Sequence, residues 1–180
     1  SCFPKDVSAL VKLAQDAKFE PILLKSVTER NQEQKSVLFG KITNKFGNDL
    51  SGHTFGMWGL SFKPGTDDLR EAPSRVLIEK IIAAGGKVQA FDPVAMENAR
   101  EEFPKSWFDD GHLELIDDQY QTLKDTDALL LITEWKQFRR PDFEYMKTIM
   151  KQPVVFDGRN QYNPDWLKDG GYDYYGIGRK

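Results

Sequence analysis

The amino-acid sequence predicts an α/β protein in which a long central helix leads into a Rossmann-like, doubly wound parallel sheet. Three observations carry this. From residue 48 onward, apolar strand-like runs alternate with helical patterns, an order that gives a parallel sheet covered by helices on both faces. Residues 22–47 instead keep a helical apolar spacing for many turns. Proline and glycine fall where these helices should begin and stop. The two textures divide the chain into residues 1–47 and residues 48–180.

Taking the elements in order, VSALVKLAQDA at 7–17 reads as a first helix, starting at Val7 or Ser8, with Asp6 available to cap it. Pro21 suits the first turn of a second helix, in which Ile22, Leu23, Val27, Val37, Leu38, Ile42 and Phe46 recur at helical spacings. A helix from about residue 20 to 47 is roughly 40 Å long, with a polar centre from Glu29 to Lys35. It is too long to bury itself in a small domain. It is expected to pack between domains or against a second copy, as a two-fold homodimer.

Beyond it, HTFGMWGL (53–60) reads as a buried strand and APSRVLIEKIIAAGG (72–86) as a helix, with Pro73 in its first turn and Gly85-Gly86 as its stop. KVQAFDP (87–93) is a strand, 94–102 a helix, LELI (113–116) a short strand and DDQYQTLKDT (117–126) a helix. DALLLITE (127–134) is the most apolar strand, 142–150 a helix, and 153–157 a strand that ends in the loop DGRN.

Composition narrows the function classes. With 39% hydrophobic and 29% charged residues the chain is globular in type, and its net charge of −3 gives no electrostatic footprint for nucleic acid or an anionic membrane. No apolar run approaches the roughly 20 residues that cross a bilayer. A single cysteine, Cys2, leaves no internal disulfide and points to a reducing cytoplasm. His53 and His112 lie in unrelated settings, and no metal-ligand cluster is visible.

In doubly wound sheets, ligands sit beyond the carboxyl ends of the strands, where strand order reverses. That selects the loop SFKPGTDDLREAPS after 53–60, EWKQF after 127–134, and DGRN after 153–157. In the first, Lys63 and Arg70 either pair with Asp67, Asp68 and Glu71 or face an anion. Gly56 and Gly59 do not form the GxGxxG dinucleotide fingerprint. Arg159 either pairs with Asp157 or offers a bidentate fork to phosphate. Cys2 is either a small buried hydrophobe or a thiolate favoured by Lys5 and a nearby helix N-terminus.

Taken together, SCFPKD, VTERNQEQK, GLSFKPGTDDLREAPS, FDP and FDGRN, in that order, resemble the UDP-glucose/GDP-mannose dehydrogenase family over essentially the whole chain. The resemblance implies a piece of a longer protein: the catalytic-cysteine segment, the central dimerisation helix and the domain that binds the nucleotide of a UDP-sugar substrate, without the NAD-binding domain. It implies oxidation of UDP-glucose to UDP-glucuronate with NAD. Cys2 is then the nucleophile that forms a thiohemiacetal and a thioester, and Asp6 assists the hydrolytic water. Lys5 and Arg70 contact NAD, and Phe62, Lys63 and Arg159 contact the substrate. Phe62 or Trp135 supplies an apolar wall for uracil. The aromatic in CFPKD favours the UDP-glucose branch over GDP-mannose or another nucleotide sugar. The other class of reading is a non-catalytic nucleotide-binding and dimerisation module, which is the expectation for these 180 residues in isolation.

Overall fold

The computed structural model describes residues 2–179, and the side chains of Cys2 and Phe3 fall outside that description. The first helix, α1 (Cys2–Asp16), begins five residues before the predicted start at Val7. Pro4 sits in its first turn, where a missing N–H costs nothing, and its carbonyl accepts Ser8 Oγ at 2.9 Å. Asp6 therefore lies inside the helix and does not cap it, which corrects the capping alternative.

The second helix, α2 (Ile22–Phe46), ends at Gly47, whose φ of 93° stops it. Its C-terminal half is anchored. Leu38 and Ile42 are buried, in one core layer with the helix α3 (Pro73–Ala83) and the strand β5 (Val154–Asp157). Its N-terminal half leaves Ile22 and Leu23 exposed, at 70% and 76%.

The remaining strands are β1 (Thr54–Trp58), β2 (Lys87–Phe91), β3 (Leu113–Leu115), β4 (Ala128–Leu131) and β6 (Asp173–Gly176). All pairings are parallel, in the order β3-β2-β1-β4-β5-β6, the Rossmann arrangement the sequence predicts. β1 is central, with Phe55 beside Val88 on one side and Ala128 on the other. Because both faces of the sheet are covered, β4 is apolar throughout and β1 is so from Phe55 to Trp58. Phe55, Met57, Leu77, Ile81 and Phe156 belong to one layer, and Trp58, Leu129, Leu131, Phe138 and Val155 to the other.

The helices α4 (Met96–Glu102) and α6 (Phe143–Ile149) stand where expected. The helix predicted over 117–126 does not form; the chain makes one tight turn at Gln121–Leu123. Asp118 Oδ1 accepts the amides of Tyr120 and Gln121, at 2.9 and 2.8 Å, and Asp125 adopts a left-handed φ of 57°. Such local side-chain bonds compete with the helical ladder. Two helices not foreseen are α5 (Lys105–Asp109) and α7 (Pro164–Asp169); β6 was not foreseen either. For α7 the signal was present, since Asn163 caps it through Asp165 N and Trp166 N and proline opens it.

Two contacts set how the chain leaves the central strand. Gly59 has φ 93°, and a Cβ there would stand 2.5 Å from Thr133 Cβ, so only glycine lets the exits of β1 and β4 touch. Asp92, just past β2 and 1% exposed, accepts six hydrogen bonds. Leu60 N, Ser61 N, Ser61 Oγ and Trp135 Nε1 reach Oδ2 at 2.8–3.1 Å, and Val94 N and Ala95 N reach Oδ1 at 2.9 Å. Replacing Asp92 with alanine strands these donors in the interior at about 1–3 kcal/mol for each one left unpaired. Urea denaturation of Asp92→Ala should show a loss on the order of 3–5 kcal/mol. A loss within about 1 kcal/mol would mean that water replaces the carboxylate and that the exits need no such anchor.

Candidate functional site

Strand order reverses between β1 and β4, so their exits open a crevice at the carboxyl edge of the sheet. The loop after β1 starts at the Asp92 anchor. Ser74 Oγ donates to Leu60 O at 2.5 Å, Thr133 Oγ1 to Ser61 O at 2.6 Å, and Phe62 N to Asp68 O at 2.8 Å. These bonds fold the loop back on itself and hold Phe62 at the rim.

Arg159 follows β5. Its amide donates to Asp157 Oδ1 at 2.9 Å, but its guanidinium does not pair with Asp157, which corrects that alternative. Asp157 is fully buried and also takes Tyr162 N and Tyr174 Oη. The Arg159 side chain turns towards the switch point instead. Nε donates to Ile132 O at 2.7 Å, Nη2 donates to Phe62 O at 3.1 Å, and Glu134 Oε2 stands 2.9 Å from Nε. Three strand exits thus meet at one guanidinium.

From the other side comes α2. Lys35, whose side chain is 8% exposed, pairs with Glu71 at the end of the loop. Glu71 carries a φ of 60°, uncommon for a residue with a Cβ. The hydrogen bond from Lys35, its charge and a weaker contribution from Gln32 hold the Glu71 carboxyl below its ordinary value, against the opposing effect of burial.

These elements enclose two adjoining clefts. The larger, about 990 Å³, lies between α1, α2 and the β1–α3 loop, and Lys5, Arg30, Asn31, Gln34, Phe62 and Arg70 are among its walls. The smaller, about 350 Å³, runs inward past Asn31, Gln34, Lys35, Phe62, Ile132 and Arg159. Pro4, Asn31, Gln34, Phe62 and Glu71 line both.

The candidates from the sequence distribute unevenly over this space. Lys5 and Arg70 line the larger cleft, Arg159 the smaller and Phe62 both. Arg70 is also joined to Asp68 through Nε and Nη2 at 2.9 and 3.0 Å, the pairing alternative for that residue. Lys63 is exposed, makes no ion pair with a described residue, and lines neither cleft. Asp6 is exposed on α1 and also lines neither. The Cys2 side chain lies outside the described residues; on the backbone, positions 2, 5 and 6 share one face of α1, at i, i+3 and i+4. Trp135 is no wall of either cleft, because its indole N–H is bound to Asp92. His53 packs on Phe46 at 4.9 Å between ring centres, and His112 Nδ1 contacts Gly86 O at 3.2 Å, so both serve the scaffold.

Sequence reasoning missed Asn31, Gln34, Lys35 and Glu134. The signal for the first three was the polar interruption of an otherwise amphipathic helix, which marks where its surface meets a polar cleft.

The donor set suits anions. Lys5 and Arg70 are among the cations that the larger cleft would offer to an anionic dinucleotide such as NAD. The sheet's own first turn does not fit its pyrophosphate: Gly56 is backed by Leu123 and Thr122, and Gly59 by Thr133, so neither glycine offers open space. Among the described residues no group of three or more His, Cys, Asp or Glu could hold a metal ion, and no helix is long and apolar enough to cross a membrane.

Residues 56–164 match the family model for the UDP binding domain of the UDP-glucose/GDP-mannose dehydrogenase family. A UDP-glucose 6-dehydrogenase from Pseudomonas aeruginosa is 45% identical over 99% of this chain, and the UDP-glucose 6-dehydrogenase YwqF of Bacillus subtilis is 37% identical over 100%. The chain spans 39% of the length of each. The solved UDP-glucose dehydrogenase of the archaeon Pyrobaculum islandicum superposes on the whole chain with a TM-score of 0.79 at 27% identity, over 38% of its own length.

The Lys35–Glu71 pair predicts a pH response. Because the folded-state pKa of Glu71 is depressed, its contribution is present above the ordinary carboxylate value of 4.5 and is lost as pH falls below that value through the folded pKa. Urea midpoints of the wild type, measured from neutral pH down through this range, should fall more steeply than those of Lys35→Met. Parallel curves would show that the bridge does not fasten the loop to α2.

Proposed function

Because this chain belongs to the UDP-glucose/GDP-mannose dehydrogenase family, we propose that it is the central-helix and UDP-sugar-binding portion of an NAD-dependent UDP-glucose 6-dehydrogenase, which oxidises UDP-glucose to UDP-glucuronate. The observation that carries this is the smaller cleft, where Phe62 and Arg159, from two strand exits, face the polar centre of α2. Arg159 Nη1 makes no hydrogen bond with a described residue and is left to take a diphosphate oxygen. The Phe62 ring would stack on uracil. Lys63, on a long flexible stem from the same loop, would swing in to a sugar or phosphate oxygen.

NAD, when bound, would supply the hydride acceptor. Lys5 and Arg70 would hold its edge from the larger cleft. A thiolate at Cys2 would take up the C6 aldehyde as a thiohemiacetal, the form that oxidises to a thioester. Asp6, one helical turn on, would hold and deprotonate the water that releases the acid. A thiol assigned to this chemistry suits a reducing compartment such as the cytoplasm.

The partner proposed for the helices is a second copy. Leu10 and Leu13 of α1, with Phe19, Ile22, Leu23 and Val27, are exposed and give this end of the chain an apolar surface, which at Val27 reaches the larger cleft. A two-fold dimer through α2 would cover it. Leu23→Asp should shift the chain towards monomer in analytical ultracentrifugation, and an unshifted distribution would place the interface elsewhere.

Calorimetric titration with UDP tests the binding site. Arg159→Ala should weaken binding by about tenfold to a hundredfold, since a charge-assisted hydrogen bond contributes on the order of 1.5–3 kcal/mol. Lys63→Ala should weaken it less. Unchanged affinity in both variants would mean that the nucleotide sits elsewhere. The chain alone, incubated with UDP-glucose and NAD, should produce no NADH.

In a longer protein that also carries a dinucleotide-binding domain, Cys2→Ser should abolish glucuronate formation and leave UDP-glucose binding nearly intact. Asp6→Asn should let a covalent sugar-nucleotide adduct accumulate on Cys2, detectable by intact-mass spectrometry. Wild-type turnover in the serine variant would make Cys2 structural.

A further inference from the structure

The cations of the smaller cleft are already matched with carboxylates. Lys35 pairs with Glu71, and Arg159 stands against Glu134. The second contact is unusual. Glu134 Oε2 is buried and accepts no hydrogen bond from a described residue, although Arg159 Nε is 2.9 Å away. The single hydrogen on Nε is directed at Ile132 O, at 2.7 Å, and Nη2 is bound to Phe62 O at 3.1 Å. Two backbone carbonyls therefore fix the direction of the guanidinium, and the carboxylate adds negative charge without adding a bond. The contact is an ion pair that no hydrogen of Arg159 bridges. Glu134 does not line the cleft itself; it follows the exit of β4 and stands against Arg159 Nε.

We propose that Glu134 is a counter-charge that lowers the affinity of Arg159 for the nucleotide diphosphate. This rests on the assignment of Arg159 to that diphosphate. A carboxylate held at Nε repels an anion that approaches the same guanidinium at Nη1, and in a half-buried site that repulsion is only partly screened. Bound nucleotide is held less tightly and leaves sooner. Because Glu134 does not orient Arg159, removing its charge leaves the binding geometry standing and takes away only the repulsion.

The test is titration of this chain with UDP and, separately, with uridine, which has no phosphate. Glu134→Gln keeps the shape and removes the charge. It should bind UDP about threefold to tenfold more tightly than wild type and lose more affinity on adding salt. Uridine affinity should not change. Glu134→Ala should shift UDP binding in the same direction. A merely structural role would weaken UDP binding and lower the melting temperature together, which is the opposite sign. UDP affinity in Glu134→Gln equal to or weaker than wild type overturns the proposal, and so does an equal gain for uridine. Arg159→Ala in the same series separates the two assignments. If it loses UDP while Glu134→Gln binds like wild type, only the counter-charge is wrong. If it binds UDP normally, the diphosphate assignment falls as well.

Discussion

The carboxylate of Asp92 is the contact on which the site depends. It gathers the exit of β1 through Leu60 and Ser61, the start of the segment leading to α4 through Val94 and Ala95, and the exit of β4 through Trp135. Parallel strands end in loops that have no pairing partner of their own, and a buried loop must satisfy its amides somewhere. Here one side chain satisfies four of them at the point where the sheet reverses its order. The crevice is consequently rigid at its base, and the 59–72 loop starts from a fixed origin before it reaches Phe62.

From that origin the loop is tied down twice more, by charge. Arg159 fastens it to β4 and β5 through the Phe62 carbonyl, and Lys35 fastens it to α2 through Glu71. Both are cations in a cleft suited to an anion, and both are occupied by groups of this chain. A site arranged in this way is preorganised, because its side chains need little reordering when a ligand arrives. Its field is also moderated, because Glu71 and Glu134 offset the charges of the two cations.

The sheet was legible in the sequence because strands buried on both faces must be apolar along their length, and FGMW, ALLL and VVF satisfy that without ambiguity. The failed helix at 117–126 was not, because its apolar spacing is real and the outcome is decided by Asp118 bonding to its neighbours' amides. In the site, the loops that carry Phe62, Arg70 and Arg159 could be found from their positions past strand ends. Glu134 and Glu71 could not. Their importance comes from which cation each one faces, and that is a tertiary fact with no local pattern. Lys35 lies between these cases, announced by polarity but not by partner.

The central helix performs three duties in succession along one rod. Ile22, Leu23 and Val27 present the apolar surface, Asn31, Gln34 and Lys35 line the clefts, and Leu38 and Ile42 enter the core. Each successive residue advances the rod by about 100° of rotation and 1.5 Å of travel. The three faces are therefore phased against one another by residue count alone. Inserting or deleting a single position between Val27 and Leu38 would leave every individual contact chemically possible, yet turn the outward surface away from the cleft by more than a quarter of a revolution. Such a helix can accept substitutions far more readily than it can accept a change of length.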